Sequence, residues 1–188
     1  MDDDHLIIAR AQTGASDACR ALVERYQGVV WTFCRNLLHH SADAEDATQE
    51  VFLTAFRRLD RYDPDRAAFS TWLLTIARNH CCNRVQQRQP AGEPHADPLD
   101  GGSSPEEHAT DAEVWQELDR ALEHLPLEQR TAFVLAEIQD RPHAEIALIE
   151  GVELGTVKSR VSRAKARLRE VLQDWFPEPS PVPVRRTS

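Results

Sequence analysis

A basic amphipathic segment near the C-terminus constrains the fold of this chain most strongly. Its apolar side chains recur every three or four residues, at Leu154, Val157, Val161, Ala164 and Leu168. At about 100° per residue these positions share one face of an α-helix, and that face must pack on a core. Between Thr156 and Arg169 the chain has six basic residues and no acidic one. The segment therefore predicts a helix with one buried face and one strongly cationic face.

The residues before this helix complete a recognisable pattern. Residues 142–150 predict a short amphipathic helix, Gly151 predicts a turn, and residues 153–174 predict the basic helix. A short helix, a glycine turn and a second, basic helix are typical of helix-turn-helix DNA-binding units. Small residues on the outer face of the second helix favour close approach to a major groove, at Gly155, Ser159, Ser162 and Ala166. The alternative is a structural helix pair with a solvated basic face.

The net charge of −9 is unusual for a nucleic-acid-binding protein, because affinity for phosphates depends on local cation density. Part of the acidity lies in residues 90–113, which hold seven acidic residues, no Lys or Arg, and several Pro and Gly. Without these seven, the 31 acidic residues of the chain fall to 24, against 22 basic ones. We expect a flexible acidic linker between two modules, and a chain that binds DNA weakly unless a larger partner carries it there.

Both modules are predicted to be helical, because strand-like alternation is absent and Gly is rare inside the periodic segments. The fold class is therefore all-α, with two small helical domains at 1–89 and 112–175, the linker at 90–111 and a Pro-rich disordered tail at 176–188. The expected helices lie near 3–13, 17–39, 42–60, 70–88, 111–124, 126–138, 142–150 and 153–174.

The first module carries an acidic strip. In residues 43–59 the apolar positions Ala44, Ala47, Val51, Ala55 and Leu59 predict an inward face. The outward positions are acidic with a hydrophobic centre, namely Asp43, Asp46, Gln49, Glu50 and Leu53. A strip of this kind suits a basic partner helix, although a plain solvated helix face has the same pattern.

The following helix has features of a single-strand nucleic-acid site. Guanidinium and amide groups at Arg78 and Asn79 stand near a loop, 62–69, that contains aromatic residues, and such groups bind base edges and faces. Burial preferences favour the alternative that Phe69 and Trp72 belong to the core.

Several classes of function are excluded or disfavoured. The sequence has no uncharged apolar run of about 18 residues and an acidic start, so we expect a cytoplasmic protein without a membrane span. Four cysteines without C-x-x-C spacing predict free thiols, and no catalytic, metal or cofactor motif is present. The consecutive His80, Cys81 and Cys82 point about 100° apart on a helix, so they cannot chelate one metal ion without other ligands.

Three segments together resemble the extracytoplasmic-function (ECF) sigma factors of bacterial RNA polymerase. These are DAEDATQEVFLTAF at 43–56, FSTWLLTIARN at 69–79, and LPLEQR at 125–130 with GTVKSRVSRA at 155–164. The resemblance covers about 5–88, as sigma region 2, and 112–173, as sigma region 4. Two departures are Pro142-His-Ala-Glu145 at the start of the first motif helix and Glu150, where the family usually has Leu.

The resemblance implies a non-catalytic initiation factor that binds core RNA polymerase and reads two promoter elements. The clamp coiled coil of the largest polymerase subunit would bind Asp43, Asp46, Gln49, Glu50 and Leu53, and the flap would be a second contact. The −10 element would be melted and read by Arg66, Phe69, Ser70, Thr71, Arg78, Asn79, Asn83 and Arg84. The −35 element would be read by Thr156, Lys158, Ser159, Arg160, Arg163 and Arg167. An anti-sigma factor is a further expected partner.

Two other functions stay open at this point. One is a stand-alone helix-turn-helix regulator whose first module senses a metal or redox signal at residues 80–82. The other is a helical scaffold protein, for which the basic charges of residues 158–169 would have no role.

Overall fold

Eight α-helices form two groups in the computed structural model, which describes residues 2–88 and 111–173. The first group contains α1 (Asp2–Gln12), α2 (Ser16–Leu38), α3 (Ser41–Arg57) and α4 (Phe69–Arg88), with a 3₁₀ turn at Leu59–Arg61. The second contains α5 (Asp111–Glu123), α6 (Leu127–Phe133), α7 (His143–Glu150) and α8 (Leu154–Val171). A π-helical turn, Val134–Ile138, follows α6. The all-α prediction is confirmed, and each helix lies close to its expected range.

The helices of the first group pack around α2, whose buried face includes Leu22, Val30, Phe33 and Leu37. Helices α3 and α4 lie against this face and against each other. Leu73, Leu74 and Ala77 of α4 are almost fully buried because their three- and four-residue spacing places them on one side of the helix. This packing fixes α3 and α4 on a common support.

The second group is a small bundle in which α8 packs on α5, α6 and α7. Ala121, Leu122 and Leu125 contact Ala164 and Leu168 in a local core. The turn between α7 and α8 is made by Gly151, whose φ of 66° is in the left-handed region that glycine adopts without strain.

The two groups are in direct contact. One continuous cluster of buried apolar side chains includes Phe33 and Leu73 from the first group and Leu135, Ile146 and Val157 from the second. The sequence predicted two separate modules and gave no sign of this shared core. The expected linker, apart from Asp111, and the expected tail lie outside the described residues.

Candidate nucleic-acid and protein interfaces

The acidic strip of α3 lies on the surface as predicted. Ala44, Ala47, Val51 and Ala55 are 0% exposed, because they face α2 and α4. The opposite face leaves Asp46, Gln49 and Glu50 exposed, with Leu53 among them at 47% exposure. An exposed leucine surrounded by carboxylates and an amide gives this face both an apolar centre and a negative rim, which suits a helix with cationic and apolar side chains.

Asp43 differs from the rest of the strip because it faces α4. Its Oδ1 atom accepts a hydrogen bond from Arg84 Nη2 at 2.8 Å, and the same nitrogen is 3.6 Å from Asp46 Oδ2. The side chain of Asp43 is only 17% exposed. Asp43 and Arg84, which the sequence assigned to two different surfaces, therefore form one ion pair that joins α3 to α4.

Phe69 lies in the core of the first group rather than on a nucleic-acid surface. It is 3% exposed, and its ring centroid is 5.2 Å from that of Tyr26, 5.3 Å from that of Tyr62 and 5.6 Å from that of Trp72. The Tyr62 hydroxyl donates a hydrogen bond to the carbonyl oxygen of Ala67 at 3.1 Å, which ties the preceding loop to this cluster. The aromatic cluster thus supports the start of α4.

The polar residues of α4 and of the loop before it divide into two sets. Arg66, Asn79 and Asn83 are exposed, and Arg78 is half-buried with Nη1 donating to Asn79 Oδ1 at 3.0 Å. These groups offer donors and acceptors to a ligand. Ser70 and Thr71, at the start of α4, are instead in contact with the second group of helices.

The contacts of Ser70 and Thr71 are specific. Arg141 Nη1 donates to Ser70 Oγ at 3.1 Å, and Thr71 Oγ1 donates to Glu145 Oε2 at 3.1 Å. Thr71 is 2% exposed as a result. Two of the side chains expected to contact the −10 element are therefore covered by α7 and the residues before it.

The helix-turn-helix prediction is confirmed in its main features. Val157, Val161, Ala164 and Leu168 are buried, whereas the first position of the predicted stripe, Leu154, is 41% exposed because it starts the helix beyond the edge of the core. The opposite face leaves cationic and hydroxyl groups exposed at Thr156, Lys158, Arg163 and Arg167. Arg163 donates a hydrogen bond to Ser159 Oγ. Such a face has the donors that phosphates and base edges require.

Arg160 lies inside the helix-turn-helix unit. Its Nη1 donates to Glu150 Oε2 at 2.7 Å, and the Glu150 side chain is 1% exposed. Burial raises the pKa of Glu150, and the bond to Arg160 opposes that effect. Arg160 therefore holds α7 against α8 across the turn, a role that the sequence did not suggest.

Polar contacts also join the two groups of helices. Arg35 Nη2 donates to Asp119 Oδ2 at 2.8 Å, and Gln139 Nε2 donates to the carbonyl oxygen of Val29 at 3.0 Å. Arg130, 6% exposed, donates to Nε2 of His39. Burial and the neighbouring cations lower the pKa of His39 to about 3, so the imidazole is neutral and accepts this bond.

The cysteines are free thiols and do not converge with His80. Cys81 contacts Cys34 of α2, whereas Cys82 contacts Thr131 of α6. Within residues 2–88 and 111–173, no three His, Cys, Asp or Glu side chains are grouped as metal ligands would be. None of the helices in the same ranges has the length and apolarity needed to span a bilayer.

Comparison with known proteins relates this arrangement to sigma factors. The family described as Sigma-70 region 2 matches residues 22–90, and the family described as Sigma-70, region 4 matches residues 115–168. The chain is 30% identical to the ECF RNA polymerase sigma factor SigW of Bacillus subtilis, over 89% of this chain and 95% of SigW. It is 34% identical to the ECF RNA polymerase sigma-E factor of Escherichia coli K12, over 90% of this chain and 94% of that protein.

Solved structures give the same result. CnrH in complex with the cytosolic domain of CnrY is similar with a TM-score of 0.72 and 25% identity, covering 92% of this chain and 98% of CnrH. The sigma factor RpoE of Bartonella quintana, in complex with the anti-sigma factor NepR, has a TM-score of 0.65 and 26% identity, covering 82% of this chain and 96% of RpoE. Two family matches in the expected order, with relatives aligned over nearly the whole chain, show that the protein belongs to the ECF sigma factors of the sigma-70 family.

Proposed function

We propose that this sigma factor binds core RNA polymerase through the exposed strip of α3, namely Asp46, Gln49, Glu50 and Leu53. The observation that carries this assignment is an exposed leucine within an acidic and amide face, on a helix whose other side is fully packed. The proposed partner is the clamp coiled coil of the largest subunit, whose docking requires a complementary basic and apolar face. Asp43 acts by orienting Arg84 and the strip rather than by direct contact.

In vitro transcription tests this interface. Core polymerase is supplied with the chain or with the double variant Asp46→Arg, Glu50→Arg, on a library of randomised promoters. The reversal is expected to abolish initiation because it places cations against a cationic partner. The matched control, Glu24→Arg with Asp60→Arg, makes the same charge change at exposed positions outside the strip and should keep initiation. Equal activity of the two double variants would exclude the strip as the docking site.

The −35 element is assigned to the exposed face of α8. We place Lys158, Ser159 and Arg163 on base edges, with Thr156 and Arg167 on phosphates, because these side chains are on the outer face of the second helix of the motif. Arg160 is left out of the direct contacts, since its guanidinium is bonded to buried Glu150.

The variant Lys158→Ala, Arg163→Ala tests the assignment. Each lost base contact costs about 1–3 kcal/mol, so the double variant should lose initiation by roughly thirtyfold or more and relax the selected −35 sequence. Arg20→Ala is the control, because it also removes a cation, at an exposed position of α2 that belongs to none of the proposed contact surfaces. An unchanged −35 consensus in the double variant would refute this assignment.

The −10 element is assigned to the exposed groups of α4 and the loop before it, Arg66, Arg78, Asn79 and Asn83, together with Ser70 and Thr71. Because Ser70 and Thr71 bond to Arg141 and Glu145, full use of this surface requires α7 to move away from α4. A flipped base needs a protein pocket, and binding in that pocket must compensate a few kcal/mol of lost base stacking. Separation of the two groups of helices would make room for such a pocket.

Two further partners fit the surface. We assign the polymerase flap to a cavity of about 340 Å³ between α5, α6 and α8. Its lining combines apolar and polar side chains, namely Leu118, Phe133, Leu168 and Leu172 with Glu137, Lys165, Arg169 and Gln173. An anti-sigma factor is the second partner, because CnrH and the Bartonella RpoE, both similar over most of this chain, were solved with CnrY and with the anti-sigma factor NepR.

A further inference from the structure

Two buried cysteines contact each other across the core of the first group of helices. Cys34 of α2 and Cys81 of α4 are each 0% exposed, and the Cys81 thiol donates to Cys34 Sγ at 3.5 Å. A disulfide requires about 2.05 Å between the sulfur atoms. The two sulfurs are therefore already in van der Waals contact, about 1.5 Å beyond bonding distance.

The two thiols are not equivalent. The bond from Cys81 lowers the pKa of Cys34, with a further lowering from Thr48, against the raising effect of burial. The same bond and burial raise the pKa of Cys81. Cys34 is therefore the sulfur that more readily becomes a thiolate, the reactive form of cysteine.

A cavity between α2 and α3 has a neighbour of Cys34, Thr48, among its lining residues. It has a volume of about 450 Å³ and is lined by Gln27, Gly28, Trp31, Glu45, Thr48 and Gln49. Thr48 lines this cavity and also contacts Cys34, and on this basis we take the cavity as the access route to the thiol. The cavity is large enough for a molecule of the size of hydrogen peroxide.

We propose that Cys34 and Cys81 form an oxidation site, at which a peroxide arriving through this cavity converts the two thiols into a disulfide between α2 and α4. The Cys34 thiolate attacks one peroxide oxygen, the O–O bond breaks, and Cys34 becomes a sulfenic acid. The Cys81 sulfur then attacks the Cys34 sulfur and releases water. Two thiols and one hydrogen peroxide give one disulfide and two waters, with two electrons passing from sulfur to peroxide.

The bond would have structural consequences for the sigma factor. It would fix α4, which carries the proposed −10 groups, to α2 at the residue beside Arg35, which pairs with Asp119 of the second group. Closing a chain segment between residues 47 apart restricts the unfolded state, so the oxidised protein should melt higher by roughly 5–15 °C. A reductant such as dithiothreitol should reverse the shift.

Peptide mass spectrometry tests the site. The full-length reduced protein is treated with hydrogen peroxide, remaining thiols are alkylated, and the digest is analysed without reduction. Trypsin releases Cys34 in peptide 26–35 and Cys81 with Cys82 in peptide 79–84. The expected product is these two peptides joined, lighter by two hydrogen atoms. Cys19 is half-buried and lies in another peptide, and its oxidation shows that peroxide reached the protein.

Two alanine variants identify the sulfur in peptide 79–84. Cys81→Ala should eliminate the cross-link and the melting shift, whereas Cys82→Ala should keep both, because Cys82 contacts Thr131 rather than Cys34. A cross-link that persists in Cys81→Ala, a bond between Cys81 and Cys82, or oxidation of Cys19 alone would each overturn the proposal. The cross-link forms within the first group of helices, so its detection does not depend on the proposed promoter contacts.

Substitutions at two positions test the access route. Gly28 lines the cavity and a Cβ atom added there meets no atom within 4 Å, so the side chain of Gly28→Leu should obstruct the cavity mouth and slow cross-linking severalfold. Thr48→Ala opens the route but also removes the hydroxyl that lowers the pKa of Cys34, so its matched control is Thr48→Val, which removes the same hydroxyl and keeps the size of the side chain. Thr48→Ala should cross-link faster than Thr48→Val. If Gly28→Leu leaves the rate unchanged and the two Thr48 variants react equally fast, the assigned route is overturned.

Discussion

At the residue scale, the buried pair of Glu150 and Arg160 shows how a charged residue is accommodated inside a helix-turn-helix unit. Glu150 ends α7 just before the turn at Gly151, and its side chain is 1% exposed. A buried carboxylate is costly unless a partner compensates it, and Arg160 supplies that partner at 2.7 Å. The burial of Glu150 thus depends on Arg160, ten residues away in sequence.

Substitution of the pair tests this linkage. Arg160→Ala should destabilise the protein by about 3 kcal/mol, because it leaves Glu150 buried without a cation. The double variant Glu150→Leu, Arg160→Ala should return to within about 1 kcal/mol of the wild type, since Leu suits an apolar site. Urea denaturation measures both. Equal losses in the single and double variants would show that Arg160 stabilises the fold by other contacts.

His39 predicts a dependence of stability on pH. Burial, with Arg130 and Arg35 close by, lowers its pKa from 6.5 to about 3 in the folded protein, and His40 and Glu123 are the other charged or titratable groups near it. Between pH 6.5 and about 3, the imidazole of His39 is protonated in the unfolded chain and neutral in the folded protein. Stability should therefore fall as the pH drops from 6.5 toward 3, by at most about 1.4 kcal/mol per pH unit from this group.

The control for this effect is His39→Asn, because Asn tolerates the left-handed φ of 62° at this position and does not titrate. The unfolding free energies of the two proteins, measured by urea denaturation between pH 7.5 and 5, should converge as the pH falls. Parallel curves would assign the acid sensitivity to other groups.

At the scale of single elements, two glycines have opposite effects on their helices. Gly28 is inside α2 with open space around it, whereas Gly151 ends α7 with a φ of 66°. Inside a helix glycine costs conformational entropy, but at a left-handed C-terminal position it avoids strain. The same substitution is therefore expected to change stability in opposite directions at the two sites.

Gly28→Ala should stabilise the protein by about 0.5–1 kcal/mol, and Gly151→Ala should destabilise it by about 1 kcal/mol. Neither added methyl group meets an atom within 4 Å, so the conformational free energy of the backbone decides whether stability rises or falls. Thermal melting of the two single variants measures the difference. Changes of the same sign would contradict the assignment of α7 and its turn.

At the scale of the whole molecule, the contact between the two groups of helices determines which surfaces are available. The strip of α3 and the outer face of α8 are exposed in this arrangement, whereas Ser70 and Thr71 are covered by Arg141 and Glu145. The compact form therefore presents the proposed polymerase-binding and −35 surfaces while covering part of the proposed −10 surface.

A charge exchange tests the contact. Arg35→Glu should weaken it, because the new carboxylate would face Asp119, and the double variant Arg35→Glu, Asp119→Arg should restore it. Small-angle X-ray scattering should show an increased radius of gyration for the single variant and a return to the wild-type value for the exchange. A radius that does not change would mean that the shared apolar core alone holds the groups together.

The sequence by itself determined the all-α class, the helix ranges, the inward stripe of α3, the buried stripe of α8 and the family. These features follow from local periodicity and turn residues, which each segment carries regardless of its neighbours. The tertiary structure alone decided that Phe69 is in an aromatic core, that Arg84 binds Asp43, that Arg160 binds Glu150 and that Cys34 meets Cys81. It also decided the contact between the two groups of helices. The physical reason is that such pairings join residues far apart in the chain, and helical periodicity specifies which face is buried but not which partner covers it.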